Sequence, residues 1–357
     1  MKVELPDEAW DLRDSVEALV ARHMKRFPLR AYWDDQVPEG ESTELRRKLA
    51  ELGLASTVPA GSSVSDEAIG LVQLSPVLET LGWYAVAEPV VETVGVVAPF
   101  LQRYGDQDGI LERLAAGEAF ATIQHGWSGH APWAASAAYA LVLDGDEVVL
   151  CAAGDAAREL PAGNDLARRI GSVPQSHAIR RYDTTQAAAD LASLVHTAYA
   201  LTLYGLGQAV LSQAVEYAKI RTQFDRPVGS FQAVKHMLAE AWSGLEYCRR
   251  YLWYSAWNAD LRMRDTTRIA RTAKALAGDA AVQAGYAALQ THGGIGYTWE
   301  CDLHLWLKRI NAIDASFGSS NTHWALLGDD LRLRLGKSAG AGPAREPNLP
   351  AEVSAIG

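Results

Sequence analysis

Apolar residues between Pro6 and Met24 fall at Leu12, Val16, Leu19, Val20 and Met24, the spacing of one helix face, with Asp7 placed as an N-cap. Leu45, Leu49 and Leu52 repeat the pattern, and Gly53 stands where a helix would stop. Residues 68–104 are rich in Leu and Val, and Pro76, Pro89 and Pro99 are expected to divide them into short helices. The first third of the chain therefore reads as all-helical. Beyond Gly117 the texture changes. Phe120 to Gln124 and Tyr139 to Cys151 read as strands, the second stretch with an Asp-Gly turn between two apolar runs. Residues 154–181 are rich in Gly, Pro and Arg and show no clear period. Helical patterning returns over 186–220, 232–260 and 266–290, in segments long enough for an antiparallel bundle. The end of the chain, 337–357, is dominated by Ala, Gly and Pro and is expected to be mobile. No repeat recurs at solenoid spacing.

The expected fold class is thus mainly α with a small β domain. A helical domain is placed over residues 1–118, a shortened β domain over 119–185, a helical bundle over 186–335 and a flexible tail over 336–357. A chain of 357 residues has length enough for a sizeable core without metal or disulfide staples. Charged residues interrupt every apolar stretch before it reaches membrane-spanning length. The first ten residues lack the basic-then-apolar layout of a signal peptide, which points to the cytoplasm. A net charge of −10 with no dense Lys/Arg run argues against nucleic acid or an anionic membrane as partner. Cys151, Cys248 and Cys301 lie far apart with no paired spacing, so unpaired, buried thiols are expected and no metal site.

Two segments carry more specific information: Arg221-Thr-Gln-Phe-Asp-Arg-Pro-Val-Gly-Ser-Phe-Gln-Ala-Val-Lys-His236 and Gln290-Thr-His-Gly-Gly-Ile-Gly-Tyr297. In this order, and with Leu114-Ala-Ala-Gly-Glu118 at the entry to the β region, they resemble the C-terminal domain and layout of the acyl-CoA dehydrogenase family. The resemblance spans residues 1 to 335. It implies that family's fold, with an N-terminal helical domain, a middle β domain and a C-terminal four-helix bundle. It also implies FAD as cofactor, an acyl-CoA substrate and an electron-transfer acceptor.

The residue types suit that cofactor. A guanidinium such as that of Arg221 makes planar, charge-assisted bonds to pyrophosphate oxygens. Ser230 is positioned to cap a helix beginning near Phe231, whose N–H groups suit a phosphate. Gln232 and Gln290 offer both donor and acceptor atoms to adenine and ribose edges, and Gly293 and Gly294 present no Cβ to a close approach. The resemblance assigns Arg221, Gln223, Phe224, Phe231, Gln232, Gln290, Gly293 and Gly294 to FAD, acting across a subunit interface on a neighbour's cofactor. Asp225 departs from the family, which has Gly there, and places a carboxylate near the expected pyrophosphate. Singly these residues are ordinary: Arg221 reads as a helix-end charge and Gly293-Gly294 as a helix C-cap.

The chemistry of the family needs a glutamate to take an α-proton from the thioester. Its usual position falls on Phe317, in Ser316-Phe-Gly-Ser-Ser-Asn321, and the alternative position used by some relatives falls on Val195. Asp190 and Asp314 lie nearby in sequence and read as surface charges. The loop that holds the flavin ring in the family corresponds here to Ile123-Gln-His-Gly-Trp-Ser-Gly-His130, where His125 and His130 read as loop residues rather than ligands. No catalytic residue and no metal ligand is therefore assigned to this chain. The pattern matches the base-less subunit of heterotetrameric (α2β2) relatives that desaturate steroid side-chain acyl-CoA thioesters, so a paralogous partner is expected to supply the glutamate. Two other readings remain at this stage: a homo-oligomer with other chemistry such as dehydration, and a flavin-free structural subunit.

Overall fold

The structure is a computed structural model, and it describes residues 4–55, 70–106, 108–126, 128–161 and 163–334. The tail placed over 336–357 lies outside the described residues. Seven helices come first: α1 (Asp7–Arg26), α2 (Leu29–Trp33), α3 (Glu39–Glu51), α4 (Leu71–Trp83), α5 (Val90–Glu92), α6 (Ala98–Tyr104) and α7 (Ile110–Ala115). Asp7 is the first residue of α1 and not its cap; Pro6 holds that position, and the first turn carries Asp7 and Glu8. Gly53 does follow the end of α3, at φ 76°. The proline reading needs correction. Pro76 lies inside α4, and Pro99 lies near the start of α6, which continues a π-helical turn over Thr93–Val97. Around Pro76, hydroxyls serve the backbone carbonyls: Ser75 Oγ donates to Leu71 O at 2.7 Å and Thr80 Oγ1 to Pro76 O at 2.9 Å.

The β region forms two small sheets. One has the order β1 (Ala121–His125), β3 (Tyr139–Asp144), β4 (Glu147–Ala152), β7 (Ala178–Tyr182), with β1 and β3 parallel and the other pairs antiparallel. The other joins β2 (Ala131–Pro132), β6 (Ile170–Ser172) and β5 (Arg158–Glu159). In the β3–β4 hairpin Asp144 pairs with Glu147, so the loop residues are Gly145 and Asp146, and only Gly145 has positive φ. That is the requirement of a II′ turn.

The bundle consists of α8 (Thr185–Ile220), α9 (Gln232–Leu261), α10 (Thr266–His292), α11 (Leu303–Ala315) and α12 (Ser320–Arg334). Between α8 and α9 lies a hairpin of β8 (Thr222–Gln223) and β9 (Arg226–Pro227). Helix α8 is the axis of the molecule: from Leu191 to Leu206 nearly every residue is buried, because α4, α9, α10 and α11 surround it. Its contact with α4 is backbone to backbone. A methyl group added at Gly205 would overlap the Glu79 carbonyl oxygen, and one added at Gly82 the Thr202 carbonyl oxygen.

Polar side chains lock the first helices to the bundle. Asp260 of α9 accepts from the amides of Leu71 and Val72, both at 2.9 Å, and so caps α4 from outside. Buried Glu79 accepts from Arg249 Nη2 and Trp253 Nε1, each at 2.7 Å. Asp190, expected at the surface, is buried and accepts from Tyr104 Oη at 2.9 Å, Gln186 Nε2 at 2.7 Å and Arg262 Nε at 2.8 Å. Cys151 and Cys248 are buried, whereas Cys301 is half-buried; all three are free thiols. Among the described residues no helix is long and apolar enough to cross a membrane, and no group of three metal-ligating side chains is gathered.

Candidate functional site

The two diagnostic segments come together at one end of the bundle. Arg221 is the C-cap of α8, and the chain then turns through the β8–β9 hairpin and the short Val228–Ser230 helical turn into α9. Gln290 lies in the last turn of α10, which is capped by Gly293, where φ is 62°. The link between them is a stack: the rings of Tyr217, one turn before Arg221, and His292 lie 4.4 Å apart at 22°. Sequence reasoning missed this pair, although His292 stands inside the second segment.

Arg221, Gln223, Phe224, Gln232, Gln290 and Gly294 are exposed, while Phe231 and Gly293 are half-buried. They stand along an edge on the outside of the molecule. Phe224 is 86% exposed and meets Phe231 edge-on at 6.1 Å, with the Arg226 guanidinium 4.0 Å above the Phe231 ring. Space is open around the Cα of Gly293 and of Gly294. Residues 221–236 carry Arg221, Arg226 and Lys235 against one carboxylate, Asp225, in a chain whose net charge is −10. The Ser230 cap is not formed; Phe231 is the N-cap of α9 and makes no side-chain cap bond. Those amides and the guanidinium groups are the donor set an external dinucleotide phosphate needs.

The second region surrounds Phe317, which is half-buried with φ 57° in the connection from α11 to α12. Its ring lies 5.3 Å from that of His125, at the end of β1, and 6.2 Å from that of buried Tyr199. The connection is pinned on several sides. His196 Nε2 lies 3.3 Å from Phe317 O, Lys274 Nζ donates to Asp314 O at 2.8 Å, and Arg168 Nη1 donates to Ser316 Oγ at 2.9 Å. Asp314 is no surface charge: it accepts from Ser320 Oγ at 2.6 Å and lies 3.8 Å from Lys274 Nζ. Val195 is fully buried in α8, and His130 is exposed.

Burial dominates the titration of this region. It drops the Lys274 ammonium to about 8, against the pull of Asp314. It holds His323 down to about 3, helped by Lys274 and Arg271, and keeps His196 well below its ordinary value, helped by His323. The phenol of Tyr199 is pushed up by burial and by Glu92. Two carboxylates of this region are engaged by hydroxyl groups: Glu92 accepts from Tyr199 Oη at 3.0 Å and Asp314 from Ser320 Oγ at 2.6 Å.

Residues 191–331 match the family described as acyl-CoA dehydrogenase, C-terminal domain. Over 328 residues, 86% of this chain and 92% of the other, the sequence is 30% identical to the acyl-CoA dehydrogenase IpdE2 of Mycobacterium tuberculosis. Among solved structures, the ChsE4-ChsE5 complex from Mycobacterium tuberculosis superposes with a TM-score of 0.78 at 23% identity, over 96% of this chain and 100% of that one. A steroid ACAD, Tcur3481-Tcur3483, gives 0.78 at 21%, over 93% and 99%.

Proposed function

From the premise that the chain belongs to the acyl-CoA dehydrogenase family, we propose that it is the base-less subunit of a heteromeric, FAD-dependent enzyme. Its exposed edge holds part of the FAD carried by a paralogous subunit, and that subunit supplies the catalytic glutamate. The observation that carries this reading is an asymmetry. Residues suited to a neighbour's dinucleotide stand together and open on the surface, whereas Phe317 fills the place of the base and packs directly on His125. The two rings meet edge-on, with centroids 5.3 Å apart at 61°.

In this reading Arg221 and the first amides of α9 bind the pyrophosphate, Gln232 and Gln290 orient adenosine edges, and Gly293-Gly294 allow the backbone to approach. Gln223 and Phe224 cover the cofactor from the hairpin. FAD, when bound, supplies the two-electron acceptor for α,β-desaturation of an acyl-CoA. The substrate class we propose is a bulky, steroid side-chain thioester; the name of one structural neighbour, a steroid ACAD, supports it. The ChsE4-ChsE5 complex among the neighbours supports a paralogous partner, and the assembly we propose is α2β2.

The test is to express the chain alone and together with its paralogous partner and to record flavin absorbance per chain. One FAD per unlike pair, with little in the lone chain, is the expected result. Arg221→Ala in the pair removes a charge-assisted bond worth about 1.5–3 kcal/mol, so flavin should be held roughly ten- to a hundredfold more weakly. A yellow, active homo-oligomer of the lone chain would overturn the proposal.

A further inference from the structure

The space next to Tyr199, whose ring lies 6.2 Å from that of Phe317, has apolar walls from α4, α5, α8 and α11, among them Leu81, Val91, Leu206 and Ile313, with the charged side chains of Glu92, Arg168 and Arg309 in the same lining. Its volume is about 20 Å³, room for a single water, where ligand pockets run to roughly 300–1,000 Å³. We infer that this chain's own acyl cleft is closed from within by Arg168, so that the subunit takes no acyl chain. The inference deepens the reading above and rests on it only for the location of the reacting carbon beside position 317.

Arg168 enters from the segment between β5 and β6 and is 4% exposed. Its Nη2 donates to Tyr199 Oη at 2.8 Å and lies 3.8 Å from Glu92 Oε1; its Nη1 donates to Ser316 Oγ at 2.9 Å and approaches Ala312 O at 3.4 Å. One cation thus spans the cleft from the β layer to α5, α8 and the end of α11. A second buried arginine holds the same wall: Arg309 pairs with Asp165 and donates to Ala85 O and Val86 O, each at 3.1 Å. An entering alkyl chain would have to displace the Arg168 guanidinium and leave the Glu92 carboxylate buried without its cation, a state the interior does not tolerate. Tyr199, Glu92 and Asp165 more than offset the desolvation of Arg168, so the plug stays charged.

The test uses the full chain, decanoyl-CoA as probe and CoA alone as reference in equilibrium dialysis. It needs neither flavin nor partner, so its outcome is separate from the flavin count per pair. The wild-type chain should bind decanoyl-CoA no better than CoA. Arg168→Ala with Glu92→Gln removes the cation and its carboxylate together and should create a preference for decanoyl-CoA of about tenfold or more, the value of burying even two methylenes. Arg168→Met with Glu92→Gln keeps the volume filled and should show none. A wild-type preference for decanoyl-CoA overturns the inference, as does a folded Ala variant without one. Should the Ala variant fail to fold, the wild-type ratio decides alone: near one supports closure, and a preference overturns it.

Discussion

Phe224 and Asp225 are the two loop residues of the β8–β9 hairpin, at φ 54° and 60°. Positive φ at both loop positions suits the twist of a tight hairpin, but Asn-Gly is the pair that adopts it without strain. For a side chain with a Cβ the left-handed region costs roughly 1–2 kcal/mol, less for Asp than for Phe. Asp225→Gly should therefore raise the unfolding free energy by about 0.5–1 kcal/mol, read as a higher urea midpoint at unchanged slope. The same change takes a carboxylate away from the edge formed by Arg221 and Arg226, so flavin retained by the complex should rise with it. A lower midpoint would show that the Asp225 side chain stabilises the turn.

At the scale of elements, α4 and α8 approach so closely that glycine is required on both sides, at Gly82 and Gly205. Gly205→Ala must push two backbones apart, and an overpacked core costs typically 1–3 kcal/mol, more where backbone has to move. Gly244, on the exposed side of α9 with open space around it, gives the opposite sign. Gly244→Ala should stabilise by roughly 0.5–1 kcal/mol through helix propensity. Urea unfolding of the two variants beside the wild type checks both signs at once. The long helices were legible because a period of 3.6 persists over many turns: the expected 186–220, 232–260 and 266–290 are α8, α9 and α10 to within two residues. Strands β6 and β7 were not legible. They span three and five residues, and β7 is an exposed edge strand carrying Arg180 and Arg181, so no alternation marks it. The site divides in the same way. Arg221 and Gln290 belong to local motifs, whereas Arg168 meets Glu92, Tyr199 and Ser316, partners far apart in sequence that only the folded chain assembles. Asp190 and Asp314 were misread for that reason, since their partners Tyr104, Arg262 and Lys274 come from other helices.

For the molecule as a whole, the joint between α8, α10 and α12 should set its sensitivity to acid. His196 and His323 are buried with rings 4.6 Å apart, and the neighbouring cations are Lys274 and Arg271. Both imidazoles are held below the ordinary value of 6.5, His323 at about 3. Above pH 6.5 each is neutral whether the chain is folded or unfolded, and their contribution to stability is fully present. As pH falls below 6.5 the unfolded chain binds protons that the folded chain refuses, so stability is lost progressively toward pH 3. From pH 7.5 to 5.5 the two residues together should cost roughly 2–3 kcal/mol. Glu79, Glu88 and Asp260, raised by burial, act in the opposite sense: their folded forms hold protons longer, so their contribution is present at low pH and declines as pH rises. The clean measurement is accordingly a difference. Urea unfolding at pH 7.5 and 5.5 should show a clearly smaller acid loss in His196→Gln/His323→Gln than in the wild type, even if the variant is less stable at both. Equal losses in the two proteins would place the acid sensitivity elsewhere. They would also mean that the joint opens to water well before the chain unfolds.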